Sequence, residues 1–210
     1  MQIDLTTGAA DWRDVYRLCI GFVNPRPIAL VSSISPDGRA NVAPFSFYNM
    51  VSARPPTVMF CPGLRRDGRP KDSLVNVEAT GEFVVATVDE SIARQMVASA
   101  AELPYGASEF EFSGLTRAPA LHVRAPLVAE APVNVECVLR QIVHLGDGPG
   151  SSRVVFGEIR AIHLSDDLLG DDGTIDPHRL RTIGRLGGEW YCTVTEPYTM
   201  SVPKVQEEGT

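Results

Sequence analysis

The sequence is short of basic charge, of paired cysteines and of long apolar runs, and each shortage removes a class of function. Lysine and arginine total 19 against 26 aspartates and glutamates, a formal net charge of −7. Such a chain lacks the broad basic surface that non-specific binding to nucleic-acid phosphates requires. Its four cysteines, Cys19, Cys61, Cys137 and Cys192, form no C-x-x-C pair, and each lies in an apolar stretch. Buried, reduced thiols fit that pattern better than a disulfide framework or a zinc site. The histidines, His122, His144, His163 and His178, are too scattered for a local metal motif, so no protein metal site is expected. No stretch reaches the run of about 18 apolar residues that spans a bilayer. The first residues carry Asp4, Asp11 and Asp14 in place of a basic-then-apolar signal pattern, and a cytoplasmic location is the expectation.

Familiar nucleotide and hydrolase motifs are missing as well. There is no G-x-G-x-x-G after a strand, no P-loop and no G-x-S-x-G elbow. The acidic residues Asp166, Asp167, Asp171 and Asp172 do not match the spacing of an EF-hand loop and read as a solvated loop.

What the chain does have is the balance of a globular domain: 44% hydrophobic and 21% charged residues over a length of 210. A domain of that size buries roughly 70% of its unfolded surface. With no repeat, linker or shift of composition, one domain over 1–210 is expected, its core at about 20–200 and its tail after 203 frayed.

Residues 11–20 place Trp12, Val15, Tyr16 and Cys19 at helical spacing. A strand is expected over 27–35, joined by the Pro36-Asp37-Gly38 turn to a second strand from Arg39 toward Ser46. Pro55-Pro56 leads into a strand over 57–61, and the polar segment 63–72 reads as a loop. A short helix over 73–79 ends at Gly81, and 82–88 is a β-branched strand. Ile92, Ala93, Met96, Val97 and Ala100 mark a helix of about three turns. Residues 102–126 read as irregular, 127–145 and 152–164 as two long strands, and Asp176-Pro177 as the start of a helical turn. Short strands, hairpin signals and few helices point to a β-barrel or sandwich with peripheral helices.

Three stretches could carry chemistry. In 41–52 (NVAPFSFYNMVS), Ser46, Asn49 and Ser52 alternate with Phe45, Phe47 and Tyr48, a mixture that covers the faces and meets the edge of a planar heteroaromatic ligand. A twisted strand with aromatics inward and serines outward explains it too. Lys71-Asp72-Ser73 stands at a helix N-terminus, where free N–H groups, a hydroxyl and a cation together attract phosphate. Arg65, Arg66 and Arg69 just upstream add to the charge, while simple capping by Asp72 or Ser73 is the alternative. Arg185-Leu186-Gly187-Gly188 followed by Tyr191 allows close backbone approach to a ligand, and a tight turn explains its glycines equally well.

Taken in order, NPRPIALVSS (24–33), NVAPFSFYNMVSARPPTVMF (41–60), KDSLVNVEATGEFVV (71–85), LPYGASEFEFSGL (103–115) and RLGG with Tyr191 resemble the flavin reductase-like family of FMN-binding split barrels, above all its flavoredoxin-like branch. The resemblance implies a mainly β fold: a six-stranded antiparallel split β-barrel with short peripheral helices, assembled as a homodimer with FMN near the interface. It implies flavin and ribityl contacts from Ser32, Ser33, Ser46, Phe47, Asn49 and Ser52, and a phosphate held by Lys71 and Ser73. Ser73 keeps the hydroxyl of the threonine that the family often has there. The function implied is NAD(P)H-dependent reduction of flavin, with no protein acid or base nominated. An FMN-bound electron carrier and a non-catalytic dimeric barrel are the competing readings, and NADH versus NADPH and the electron acceptor stay open.

Overall fold

Asp11 opens the first element, its carboxylate accepting the backbone N–H of Arg13 at 2.7 Å, the usual way an aspartate satisfies a helix start. The computed structural model describes residues 2–65, 67–103 and 107–203; Arg66, Pro104, Gly106 and the tail after 203 lie outside them. From Asp11 runs α1 (Trp12–Phe22). The apolar stretch expected as one strand over 27–35 divides at Ile28 into β1 (Arg26–Pro27) and β2 (Ala29–Ile34). The turn at Pro36-Asp37-Gly38 forms as read, with Gly38 at φ +87°, and leads into β3 (Ala40–Phe45). Then come β4 (Tyr48–Ala53), β5 (Pro56–Phe60), α2 (Asp72–Thr80) and β6 (Glu82–Thr87). Gly81 closes α2 in the left-handed region at φ 73°, where a side chain would be strained.

The rest of the chain departs further from expectation. The helix α3 spans only Ala93–Ala98, shorter than the apolar spacing implied. The irregular segment contains α4 (Glu109–Ser113), capped by Ser108, and β7 (Arg117–Ala118). The first long strand is interrupted into β8 (Leu127–Val128) and β9 (Val133–Leu145), while β10 (Ser152–Leu164) is continuous. At Asp176-Pro177 the expected turn forms and goes no further, the Asp176 carboxylate and carbonyl taking the N–H groups of His178 and Arg179. Two short strands, β11 (Ile183–Arg185) and β12 (Tyr191–Thr193), end the fold.

The main sheet has seven strands in the order β3-β2-β6-β9-β10-β5-β4, every neighbouring pair antiparallel. The strand beyond the expected six is β4, paired from Tyr48↔Phe60 to Ala53↔Pro56, in a stretch whose polar residues had drawn attention as ligand contacts. β3 and β4 sit at opposite edges of the sheet yet are joined by only Ser46 and Phe47. Three residue steps reach about 10 Å, so the sheet must roll until its edges nearly meet. No β3–β4 ladder closes the seam among the described residues. The protein is therefore mainly β, a split barrel with short helices around it.

Two strands are buried on both faces. Val31 and Val85 point to a cluster of Phe45, Phe60, Phe83, Leu74 and Val77, while Leu30 and Ala86 lie under Met96 of α3 and Phe110 of α4. The continuous apolar runs of β2 and β6 reflect this double burial. Gly157 on β10 makes room for the centre of the core: a Cβ there would stand 2.2 Å from Cζ of Phe83. Glu136 on β9, 0% exposed, pins the segment beyond β7. It accepts the N–H groups of Leu121, His122 and Val123 at 2.7, 2.6 and 3.2 Å. Nε2 of His163 lies 2.6 Å from Oε1, the oxygen that also takes the Leu121 N–H. No described helix is long and apolar enough to cross a membrane.

Candidate functional site

Successive side chains of a strand point to opposite faces, and on β2 this separates the two serines expected to act together. Ser33 faces α2, where its hydroxyl accepts from Asn76 at 3.1 Å and from Asn41 at 3.4 Å. Asn41 also donates to the hydroxyl of Ser73 at 2.9 Å. Ser33, Asn41, Ser73 and Asn76 are all buried and form one polar patch between β2, β3 and the first turns of α2. Ser32 faces the other way. It lies between Val42 and Val84 in the ladder, is 0% exposed, and its hydroxyl has no hydrogen-bond partner among the described residues. Strand alternation thus removes Ser32 from the group that Ser33 joins.

Lys71 stands over this patch as the residue preceding α2, and no side chain caps the helix. Neither Asp72 nor Ser73 takes the capping role, so the simple alternative for this segment is not what forms. The ammonium of Lys71 lies 5.3 Å from the centre of the Phe45 ring. Among the described residues it has no carboxylate partner, whereas Arg65 pairs with Asp72 at 2.9 Å and Arg69 with Asp67 at 2.7 Å. Arg65 and Arg69 are therefore neutralised within the basic run, which leaves Lys71 as its cation without a carboxylate partner among the described residues; Arg66 lies outside them. Desolvation by the surrounding protein, then the charge of Arg65, hold the Lys71 ammonium below its usual value, and Glu102 works against them. A cleft of about 230 Å³ opens here between Asn41, Lys71, Ser73, Glu102 and Glu109. It meets a second cleft of about 520 Å³ under the β2–β3 turn at Asn41, Asp72, Leu103 and Glu109. Burial, with the charge of Asp72, raises the Glu109 carboxyl.

β3 leads from this patch to the second group of expected residues. Ser46, at its end, accepts from Nε of Arg26 at 3.5 Å. Phe47 is 38% exposed; Tyr16 of α1 meets it edge-on at 6.4 Å, and the Arg26 guanidinium lies 5.9 Å from its ring centre. Asn49 is exposed, its side-chain oxygen taken by the N–H of Met50 at 2.9 Å. Ser52 stands about 10 Å further along β4, where its hydroxyl accepts from the N–H of Arg54. The fold thus gathers Ser33, Lys71 and Ser73, carries Ser46 and Phe47 to the end of the same strand, and leaves Ser32 and Ser52 apart. Asn41 and Asn76 escaped the sequence reading. Asn76 follows Ser73 by three residues, the spacing that puts two side chains on one helix face; nothing local marks Asn41.

The two RLGG glycines serve different ends: Gly188 takes the turn at φ 59° with open space around it, while Gly187, like Gly184 just before the segment, serves packing. A Cβ on Gly187 would come 3.3 Å from Cα of Gly21, and one on Gly184 would come 2.7 Å from Cβ of Pro25. Arg185 donates to the carbonyl of Gly188 at 2.6 Å and to the hydroxyl of Tyr191. Three of the four cysteines are half-buried rather than buried. Only Cys137 is enclosed, its thiol pushed up to about 12 by burial and by the neighbouring Glu136.

Comparison with known proteins adds a pattern that spans most of the chain. The model of the flavin reductase like domain matches residues 22–183. An uncharacterized protein of Halalkalibacterium halodurans is 39% identical over 197 residues, 93% of this chain and 94% of its own. Nitrilotriacetate monooxygenase component B from Bacillus cereus is similar in structure, with a TM-score of 0.88 and 32% identity over 95% of this chain and 99% of that one. The 2-nitrobenzoate 2-nitroreductase of Pseudomonas fluorescens gives a TM-score of 0.85 and 32% identity, with both chains covered in full.

Proposed function

Because the chain belongs to the flavin reductase-like family, a family of flavin-related oxidoreductases, we propose that it holds FMN without a covalent bond and reduces it with NADH or NADPH. Lys71 carries this reading: a cation with no carboxylate partner among the described residues, at an uncapped helix start, above a buried set of hydroxyl and amide donors. That donor set is chemically suited to a phosphate monoester and its polyol chain. Lys71 and Ser73 would hold the phosphate, and Asn41 with Ser33 would support Ser73 from below. The smaller cleft falls under the roughly 300–1,000 Å³ usual for ligand sites. It suits the phosphate and ribityl end, with the ring toward Ser46 and Phe47 beyond β3 and Asn49 on β4.

When bound, FMN supplies the two-electron chemistry that the side chains cannot. The protein's part is to fix the ring by its polar edge and to cover its face with Phe47. The reading extends to a homodimer in the cytoplasm. The edge strand β4 supports the dimer: its Met50 and Val51, with Phe47 before it, are exposed apolar side chains on an unpaired edge.

The test is the visible spectrum of the purified protein with FMN, before and after anaerobic NADH or NADPH. A bound-flavin spectrum that bleaches within seconds is the expected result. A bound flavin that stays oxidised with both nucleotides would replace the reductase by an electron carrier, and absence of binding would remove FMN from the reading altogether.

A further inference from the structure

Arg26 and Arg185 face each other directly across the antiparallel pair β1–β11, and among the described residues no carboxylate pairs with either. Like charges in that position repel. Arg26 is also 6% exposed, and a buried charge ordinarily finds an opposite one. Its partners are dipoles instead: the carbonyls of Ile20, Val23 and Leu186 at 2.8, 2.7 and 2.8 Å, and the Ser46 hydroxyl. Most other described arginines reach a carboxylate in this acidic chain. Neither Arg26 nor Arg185 makes an ion pair within the described residues.

The carbonyls at the end of α1 offset part of the Arg26 charge, about half a unit for a helix C-terminus. Nothing comparable meets Arg185. Its guanidinium lies 4.4 Å from the centre of the Tyr191 ring and spends two donors, on Gly188 and on the Tyr191 hydroxyl. A guanidinium has five donors in a planar fork, so three remain on a half-buried side chain. Burial first, and the charge of Arg185 as a lesser cause, hold the Arg26 guanidinium below its ordinary value against the opposing influence of Tyr16. The fold thus maintains a concentrated positive site at the Ser46–Phe47 end of β3, at the far end of that strand from Asn41 and Ser73.

We infer that the Arg26–Arg185 pair is a second oxyanion subsite, which takes the phosphoryl or carboxylate group of the second substrate. Arg185 makes the direct contact, and Arg26 adds charge from behind while it fixes the corner that carries Ser46. Two kinds of molecule carry such a group: a dinucleotide electron donor, through its diphosphate, and an aromatic acid that receives electrons. The assignment rests on the flavin reading only for what lies beside the anion.

The experiment is calorimetric titration of the FMN-loaded protein with inorganic pyrophosphate and, separately, with benzoate at matched ionic strength. FMN then occupies the Lys71 end. Saturable binding of at least one anion is expected, weakened about tenfold or more in Arg185→Gln, with FMN affinity unchanged in that variant. Arg185→Lys, which keeps the charge and loses the fork, should fall between them. Stronger binding of pyrophosphate points to the dinucleotide, and of benzoate to the acid. Equal affinity in the wild type and in a folded Arg185→Gln, or no saturable binding of either anion, overturns the subsite. Should FMN itself not bind, the same titration of Lys71→Ala without flavin still decides the subsite while the flavin reading falls.

Discussion

At the scale of single residues, Lys71 and Gly157 make the sharpest claims. Lys71→Ala should weaken FMN binding by roughly 10- to 100-fold, the loss of one charge-assisted contact of about 1.5–3 kcal/mol. Titration followed by flavin fluorescence measures it; an unchanged affinity removes Lys71 from the phosphate site. Since the ammonium is held below its usual value, it loses its charge earlier as pH rises. FMN affinity of the wild type should therefore fall on going from pH ~7 toward pH ~10, and that of Lys71→Ala should fall less. Gly157→Ala should destabilise the fold by about 1–3 kcal/mol, because the new methyl meets the Phe83 ring at 2.2 Å. Denaturant unfolding checks this, and a shift below a few tenths of a kcal/mol would mean that Phe83 can swing aside. Lys71 and Ser73 were legible because they are neighbours in the chain. Asn41 was not, because its role comes from lying across the ladder from Ser33 and beside the start of α2.

At the scale of elements, the contact between β9 and the 121–123 segment sets a pH dependence. Burial alone would raise the Glu136 carboxyl. The N–H groups of Leu121 and His122 and the bond to His163 outweigh it, and the net effect is a lowered value. A group lowered on folding contributes stability above the ordinary carboxylate range and loses it as pH falls through its folded value. The wild type should exceed Glu136→Gln by about 2 kcal/mol near neutral pH, as expected when a buried acceptor of several bonds loses its charge. That gap should narrow on acidification below pH ~4.5; a gap that stays constant in urea titrations across this range would remove Glu136 as its source. The elements with local signals were read well from sequence, α1 from the helical spacing of Trp12, Val15, Tyr16 and Cys19 and α2 from its closing glycine. The short α4 and the interrupted β8–β9 stretch were not. The polar anchors that organise their segment, Glu136 and Asn134, lie on β9, remote in sequence from much of what they hold.

At the scale of the whole molecule, the exposed edge of β4 leads to an expected dimer, which sedimentation analysis can test. Met50→Glu together with Val51→Glu should shift it to monomer, since charges on an edge strand oppose further pairing. A wild-type monomer at micromolar concentration would remove the interface from β4. The sequence by itself determined the β-rich class, the turns at Gly38 and Gly81, and the pairing of a cation with a hydroxyl at the start of α2, because each depends on residues within a few positions of one another. It also contained the family pattern, spread in order along the chain. Only the tertiary structure decided that β3 and β4 part to opposite edges, that Ser32 and Ser33 face different layers, and that Arg65 and Arg69 are already neutralised by Asp72 and Asp67. Those outcomes depend on strand order, on the twofold alternation of each strand and on which carboxylate folds back onto which cation. Each of these is fixed only when distant segments pack and bury their shared apolar face.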